Sequence, residues 1–135
     1  GMKVVIREDH RLPLAYACMA FKAGCRAENE HDAGVTDLMS ECLLKGTSTR
    51  SAADIARFLE DIGGAINTST GNNSLSVGCQ VLAEDLDAGL ELMADVVMNP
   101  SFPEDGLRAC FLWKFPFRHA GKPVFTDGSG HQKTV

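Results

Sequence analysis

Asp37, Ser40 and Glu41 are the residues whose types and spacing come nearest to a chemical site in this sequence. On a helix, positions i and i+4 share one face, so the two carboxylates would stand together there. Carboxylates suit hard cations. The plainer reading is a solvated acidic face. Like charges at i, i+4 cost roughly a few tenths of a kcal/mol, and Glu41 has Lys45 four residues on as a pairing partner. No metal is assigned to these residues.

The other reactive side chains do not gather. His10, His31, His119 and His131 are scattered, with no pair at ligand spacing. Cysteines stand at 18, 25, 42, 79 and 110, an odd number without a CxxC pair. That excludes a zinc knuckle and a disulfide framework. Cys18, Cys42 and Cys79 lie in apolar patterns and read as small core residues of a reducing compartment. Gly63-Gly64 and Gly71 do not lead a strand into a helix, as a phosphate loop requires.

The chain has 135 residues, enough for one domain, with 44% hydrophobic and 23% charged residues. Those proportions are globular and argue against wholesale disorder. Net charge is −5, which excludes a basic nucleic-acid footprint. No apolar run reaches membrane-spanning length and no secretory signal is present. Neither nucleic acid nor membrane is expected as a partner, and the expected location is cytoplasmic.

The elements that must position Asp37 and its neighbours follow from hydrophobic period. Val4-Val5-Ile6 is a short β-prone run. Leu14 to Ala23 reads as a long strand, with Ala15, Ala17, Met19 and Phe21 on one face. Leu14, Tyr16, Cys18 and Ala20 line the other, so both faces are expected to be covered. Val35, Leu38, Met39, Cys42 and Leu43 predict a helix over about 32–45, capped by Asp32 and ended by Gly46. Ser51 with Asp54 is a capping box for a second helix carrying Ile55, Leu59 and Ile62.

A hairpin follows, 65–70 and 74–82, turning at Gly71-Asn72-Asn73. Leu75, Val77, Cys79 and Val81 alternate with polar or small residues, which gives its second arm one buried face. A third helix is predicted over about 84–98, with Leu86, Leu90, Met93 and Val97 on one side. Phe102-Pro103-Glu104 begins another. From Cys110 to Phe117 no clean period is visible. The fold class expected is α+β, an antiparallel sheet with helices packed on it.

The segment from Gly34 to Thr47 resembles the metal-binding helix of the insulinase-like, or pitrilysin, M16 zinc peptidases, a family that includes mitochondrial processing peptidase. The family pattern is a Gly, two small or apolar residues, His-x-x-Glu-His, then an apolar stretch ending in Lys-Gly-Thr. Lys45-Gly46-Thr47 stands at that end. Leu12-Pro13, Ala23-Gly24-Cys25-Arg26, the Leu59–Gly64 stretch and Asn99-Pro100-Ser101-Phe102 match flanking features of the same family. The resemblance covers about residues 2–108, the first half of an M16-type domain, and leaves 109–135 as a divergent tail packed on the domain or on a second chain.

In the family, the two His residues of this helix hold zinc and the Glu activates its water. Here those positions are Asp37, Ser40 and Glu41. The family's third ligand is a later Glu, and no Glu follows Glu104. The resemblance therefore implies a catalytically inactive M16 peptidase-like domain. Its role would be assembly and peptide enclosure as a non-catalytic subunit or fragment, with no cofactor where active relatives hold zinc. The family's peptide-docking strand has a Gly-x-x-x-Asn pattern that appears as Gly63 to Asn67. It implies peptide contacts at Asn67, Thr68, Ser69 and Thr70. An ordinary hairpin arm explains the same residues equally well.

Two alternatives stand beside this reading. One is zinc-dependent metalloendopeptidase activity completed by ligands from another chain. The other is a purely structural interaction module. Expected partners are a second copy of the chain, an active M16 peptidase subunit and a peptide substrate segment. Self-association is expected because the resemblance implies a sheet without the second half that would cover it, and because Phe111, Leu112, Trp113, Phe115 and Phe117 add apolar surface within seven positions.

Overall fold

The computed structural model describes residues 1–114 and, beyond them, the backbone of two short strands. Phe115, Phe117 and the Gly-rich C-terminus lie outside the described residues. The order is β1 (Leu14–Lys22), α1 (Val35–Cys42), α2 (Ala52–Asp61), β2 (Ala65–Thr70), β3 (Ser74–Leu82), α3 (Leu86–Met98) and α4 (Glu104–Lys114). The pair β4 (Val124–Thr126) and β5 (Gln132–Thr134) follows as a separate antiparallel ribbon.

β3 is the centre of an antiparallel sheet of order β1-β3-β2. Leu14 pairs with Leu82 and Lys22 with Ser74 on one side; Ala65 pairs with Gln80 and Thr70 with Leu75 on the other. Leu75, Val77, Cys79 and Val81 all point to the buried face, as their alternation requires. Leu43, Ile55, Leu92, Met93 and Val96 pack on them to form the core. Each such side chain contributes about 1.5–3 kcal/mol by leaving water. The α+β class read from the sequence is the architecture found.

α3 is where the predicted face shifts. Leu86 and Leu90 remain partly exposed, while Gly89, Leu92, Met93 and Val96 are buried. The reason is Gly89. A Cβ there would lie 3.0 Å from Val81 Cγ1 and 3.3 Å from Cys79 Sγ, so the glycine lets helix and strand approach closely. Hydropathy periodicity does not see a glycine as a contact residue.

Three further expectations are corrected. Val4-Val5-Ile6 forms no strand, and Val5 is 92% exposed. β-propensity needs a pairing partner, and the described sheet offers it none. Among the described residues, β1 is covered on one face only. Ala15, Ala17 and Met19 pack on the core, whereas Tyr16 is 65% exposed and Cys18 is also exposed. Cys18 is therefore no core residue, because the helices lie on one side of the sheet. α1 starts at Val35, not Asp32, and its α-helical turns end at Cys42 before a 3-10 turn at Leu43–Lys45. Asp32 belongs to the preceding turn, where Asn29 Oδ1 accepts from the His31 and Asp32 amides.

α2 begins as predicted. Ser51 Oγ accepts from the Asp54 amide at 3.2 Å and Asp54 Oδ2 accepts from the Ser51 amide at 3.0 Å. α4 covers the described part of the stretch that lacks a visible period, as far as Lys114, burying Cys110 against α1 and leaving Trp113 81% exposed.

Candidate functional site

α1 has no side-chain cap of its own, because its N-cap is Gly34 in the left-handed region. The orphan amides at a helix start need acceptors. Glu28 supplies them from the preceding loop: its carboxylate accepts from the Gly34 amide at 2.7 Å and the Thr36 amide at 2.8 Å. The Gly34 amide is the main reason that the Glu28 carboxyl titrates below its ordinary range, with Thr36 adding to it. Sequence reading passed over Glu28. The signal for it is a helix that opens on glycine and so requires an outside cap.

Asp37 sits in the first turn beyond that cap and is half-buried. Its Oδ1 accepts from Thr70 Oγ1 at 2.8 Å. Ser40 is 2% exposed, and its hydroxyl donates to the Asp37 carbonyl at 2.9 Å. Glu41 is exposed. The fold thus brings Asp37 and Thr70 together, one from each predicted group, and turns Ser40 inward, away from the acidic pair.

This donor set does not fit a catalytic zinc of the inverted His-x-x-Glu-His type. No imidazole is present at the two ligand positions. The general-base position carries an alcohol whose proton is committed to the helix backbone. His10 and His31 are exposed, in the N-terminal segment and in the turn before α1. Among the described residues no group of three or more His, Cys, Asp or Glu could hold a metal ion. Among the same residues no helix is long and apolar enough to cross a membrane.

The other predicted residues lie on β2. Within the described sheet β2 pairs with β3 alone, so it is an edge. An edge strand turns part of its backbone N–H and C=O groups away from its one partner. Asn67 and Ser69 face outward, whereas Thr68 and Thr70 are half-buried on the inner side. Gly78 stands opposite both Asn67 and Cys18. A Cβ on Gly78 would lie 2.6 Å from Asn67 Oδ1 and 2.8 Å from the Tyr16 hydroxyl. The missing side chain lets Tyr16 and Asn67 lean in from opposite strands over the open sheet face. Tyr16 was not singled out from the sequence, and only the register puts it there.

The exit of α1 is held differently. Gly46 has φ 148°, and Thr47, 6% exposed, donates through Oγ1 to Asp95 Oδ2 at 2.8 Å. Arg50 meets Asp95 at 2.8 Å and Glu91 at 3.1 Å. Asn99 Nδ2 donates to Asp95 Oδ1 at 3.0 Å. These bonds, Asn99 first and Thr47 next, hold the Asp95 carboxyl at about 2. Ser101 N donates to the Gly46 carbonyl at 3.1 Å and Ser48 N to the Asn99 carbonyl at 2.9 Å. The Lys-Gly-Thr sequence therefore ties α1 to α3.

Residues 3–110 match the family model of insulinase, peptidase family M16. An uncharacterized zinc protease of Rickettsia felis is 36% identical over 62% of this chain and 20% of its own length. A non-peptidase homolog, YmxG, of Helicobacter pylori is 25% identical over 77% of this chain and 24% of its own. The chain thus spans about a fifth to a quarter of the length of these curated relatives. The crystal structure of a peptidase M16 inactive domain from Pseudomonas fluorescens superposes with a TM-score of 0.69 at 23% identity, covering 79% of this chain and 27% of that one, and shares its fold.

Proposed function

Because the chain belongs to peptidase family M16, the insulinase family, we propose that it is a catalytically silent member that receives and helps enclose an extended peptide without cutting it. The observation that carries this reading is the chemistry of α1. Asp37, Ser40 and Glu41 replace ligand, base and ligand, and the Ser40 hydroxyl is spent on the helix backbone. A serine so placed neither activates water nor holds zinc. The Helicobacter pylori relative described as a non-peptidase homolog supports the same reading.

Peptide reception is assigned to Asn67, Thr68, Ser69 and Thr70 on the edge strand β2. Strand addition needs only free backbone donors and acceptors, so it is independent of metal. Outward Asn67 and Ser69 add side-chain hydrogen-bonding groups beside that edge. The partner served by such a domain is an active M16 peptidase subunit or a second copy of the chain. Exposed Leu112 and Trp113 on α4 provide apolar surface for that contact.

Metal analysis and peptide digestion of the chelator-washed protein, resupplied with zinc, test the proposal. The expected result is no stoichiometric zinc and no cleavage. One tightly bound zinc per chain together with chelator-sensitive proteolysis would overturn it.

A further inference from the structure

We infer that Asp37, at the position of the family's first metal ligand, is a positioning residue that latches the end of the docking strand β2 through Thr70. Its functional meaning rests on the peptide-reception reading above, whereas the latch itself is a matter of geometry. Thr70 is the last residue of β2, and its hydroxyl donates to Asp37 Oδ1 across 33 positions of sequence.

The adjoining hairpin tip is tied to the start of α1 by a second route. The Cys25 amide donates to the Gly71 carbonyl at 3.4 Å and the Arg26 amide to the Asn72 carbonyl at 3.0 Å. Two residues further on, Glu28 holds the Gly34 and Thr36 amides of α1. The two routes close a ring: α1, Thr70, the hairpin tip, the 3-10 turn at Cys25–Ala27, Glu28, and α1 again. Gly24 makes the second route possible, since a Cβ there would run into the Gly71 carbonyl.

A strand that receives a peptide must itself be ordered, or binding has to order both. Edge strands fray at their ends, where local opening is easiest. The Asp37 carboxylate opposes that fraying at the end of β2 nearest α1. On this view an acidic residue at the former ligand position keeps the helix coupled to the strand without a metal.

Amide hydrogen exchange, read residue by residue on the full chain, separates the latch from the docking. Thr70→Val removes the donor in a near-isosteric side chain, and Asp37→Ala removes the acceptor. The ladder amides at the end of β2 are those of Ser69 and Gly71, the latter donating to the Ser74 carbonyl at 2.8 Å. Their exchange is expected to quicken about tenfold in both, the scale of one lost hydrogen bond, while Val77 and Cys79 in the core strand stay unchanged. Asp37→Asn keeps an acceptor oxygen and should restore the wild-type rates. Unchanged exchange at Ser69 and Gly71 in both variants would overturn the latch. Quickening that extends equally to Val77 and Cys79 would also overturn it, since that marks general destabilisation. Fluorescence anisotropy with a labelled Val-Thr repeat peptide then reads the docking. Wild type and Asp37→Asn should bind alike, and Asp37→Ala several-fold more weakly. Equal binding by all variants would overturn the positioning role. A wild-type chain with the expected exchange pattern that binds no peptide would overturn the docking reading and leave the latch standing.

Discussion

At the exit of α1, Lys45-Gly46-Thr47 still performs the task its geometry suits, with Thr47 and Arg50 gripping Asp95. Earlier on the same helix, Asp37 and Ser40 are both engaged in bonds that hold the fold together, and on the proposed reading they and Glu41 carry no ligand chemistry. The exit depends on one glycine conformation and a dense hydrogen-bond knot, which any change would weaken. The metal positions depend on side-chain identity for catalysis but only on polarity and size for packing. If the proposed reading holds, the chain has lost the chemistry of α1 and kept its scaffold.

Substitution at the exit should have the largest effect. Asp95→Ala removes the shared partner of Arg50, Thr47 and Asn99 and is expected to cost about 3 kcal/mol. Urea unfolding with an unchanged slope against denaturant reads this directly. A loss below the error of extrapolation would show that the knot is ornamental and erase the contrast.

Ser40→Glu comes next. It returns the general base's residue type to a site that is 2% exposed, and burying a carboxylate without a partner is expected to cost about 2 kcal/mol. Equal stability of variant and wild type would mean that the helix face has stayed open to catalytic equipment, which would weaken the case for silence.

Acid titration sharpens the comparison with a smaller effect. The Asp95 carboxyl is held below its ordinary 3.8, at about 2. A depressed folded value stabilises at pH above 3.8, and that stability is lost as pH falls through about 2. Glu28 has the same sign: its contribution is present above its ordinary 4.5 and fades as pH falls. Asp95→Asn should flatten the acid limb of stability between pH 3.8 and 2, and Glu28→Gln should flatten the part just below 4.5. An acid limb unaltered in both variants would place the acid sensitivity elsewhere.

The smallest perturbation is chemical labelling under native conditions. Cys42 is fully buried, and its thiol is pushed up to about 12, mainly by burial and further by the neighbouring Cys110 thiol. Cys18 and Cys25 are exposed. Mass spectrometry after brief iodoacetamide treatment should find Cys18 and Cys25 modified and Cys42, Cys79 and Cys110 intact. Early modification of Cys42 or Cys110 would show that α4 opens from α1.

What the amino-acid sequence determined by itself was local. The capping box at Ser51 and Asp54, the turn at Gly71-Asn72-Asn73 and the alternation from Leu75 to Val81 are all readable because each is satisfied within a few residues. The residue types at Asp37, Ser40 and Glu41, on which the proposal of silence rests, were readable too, since they need no partner to be read. Tertiary structure decided the rest. Val4-Val5-Ile6 has strand propensity and finds no partner. The buried face of α3 turned toward Gly89, because close approach selects the smallest residue. The open side of β1 was set by which face the helices chose. At the site, Ser40 and Glu41 are neighbours in sequence with opposite fates, one buried and one exposed, and Asp37 meets a threonine 33 residues away. Side-chain identity is carried by the chain one residue at a time, but burial and partnership exist only once distant segments pack.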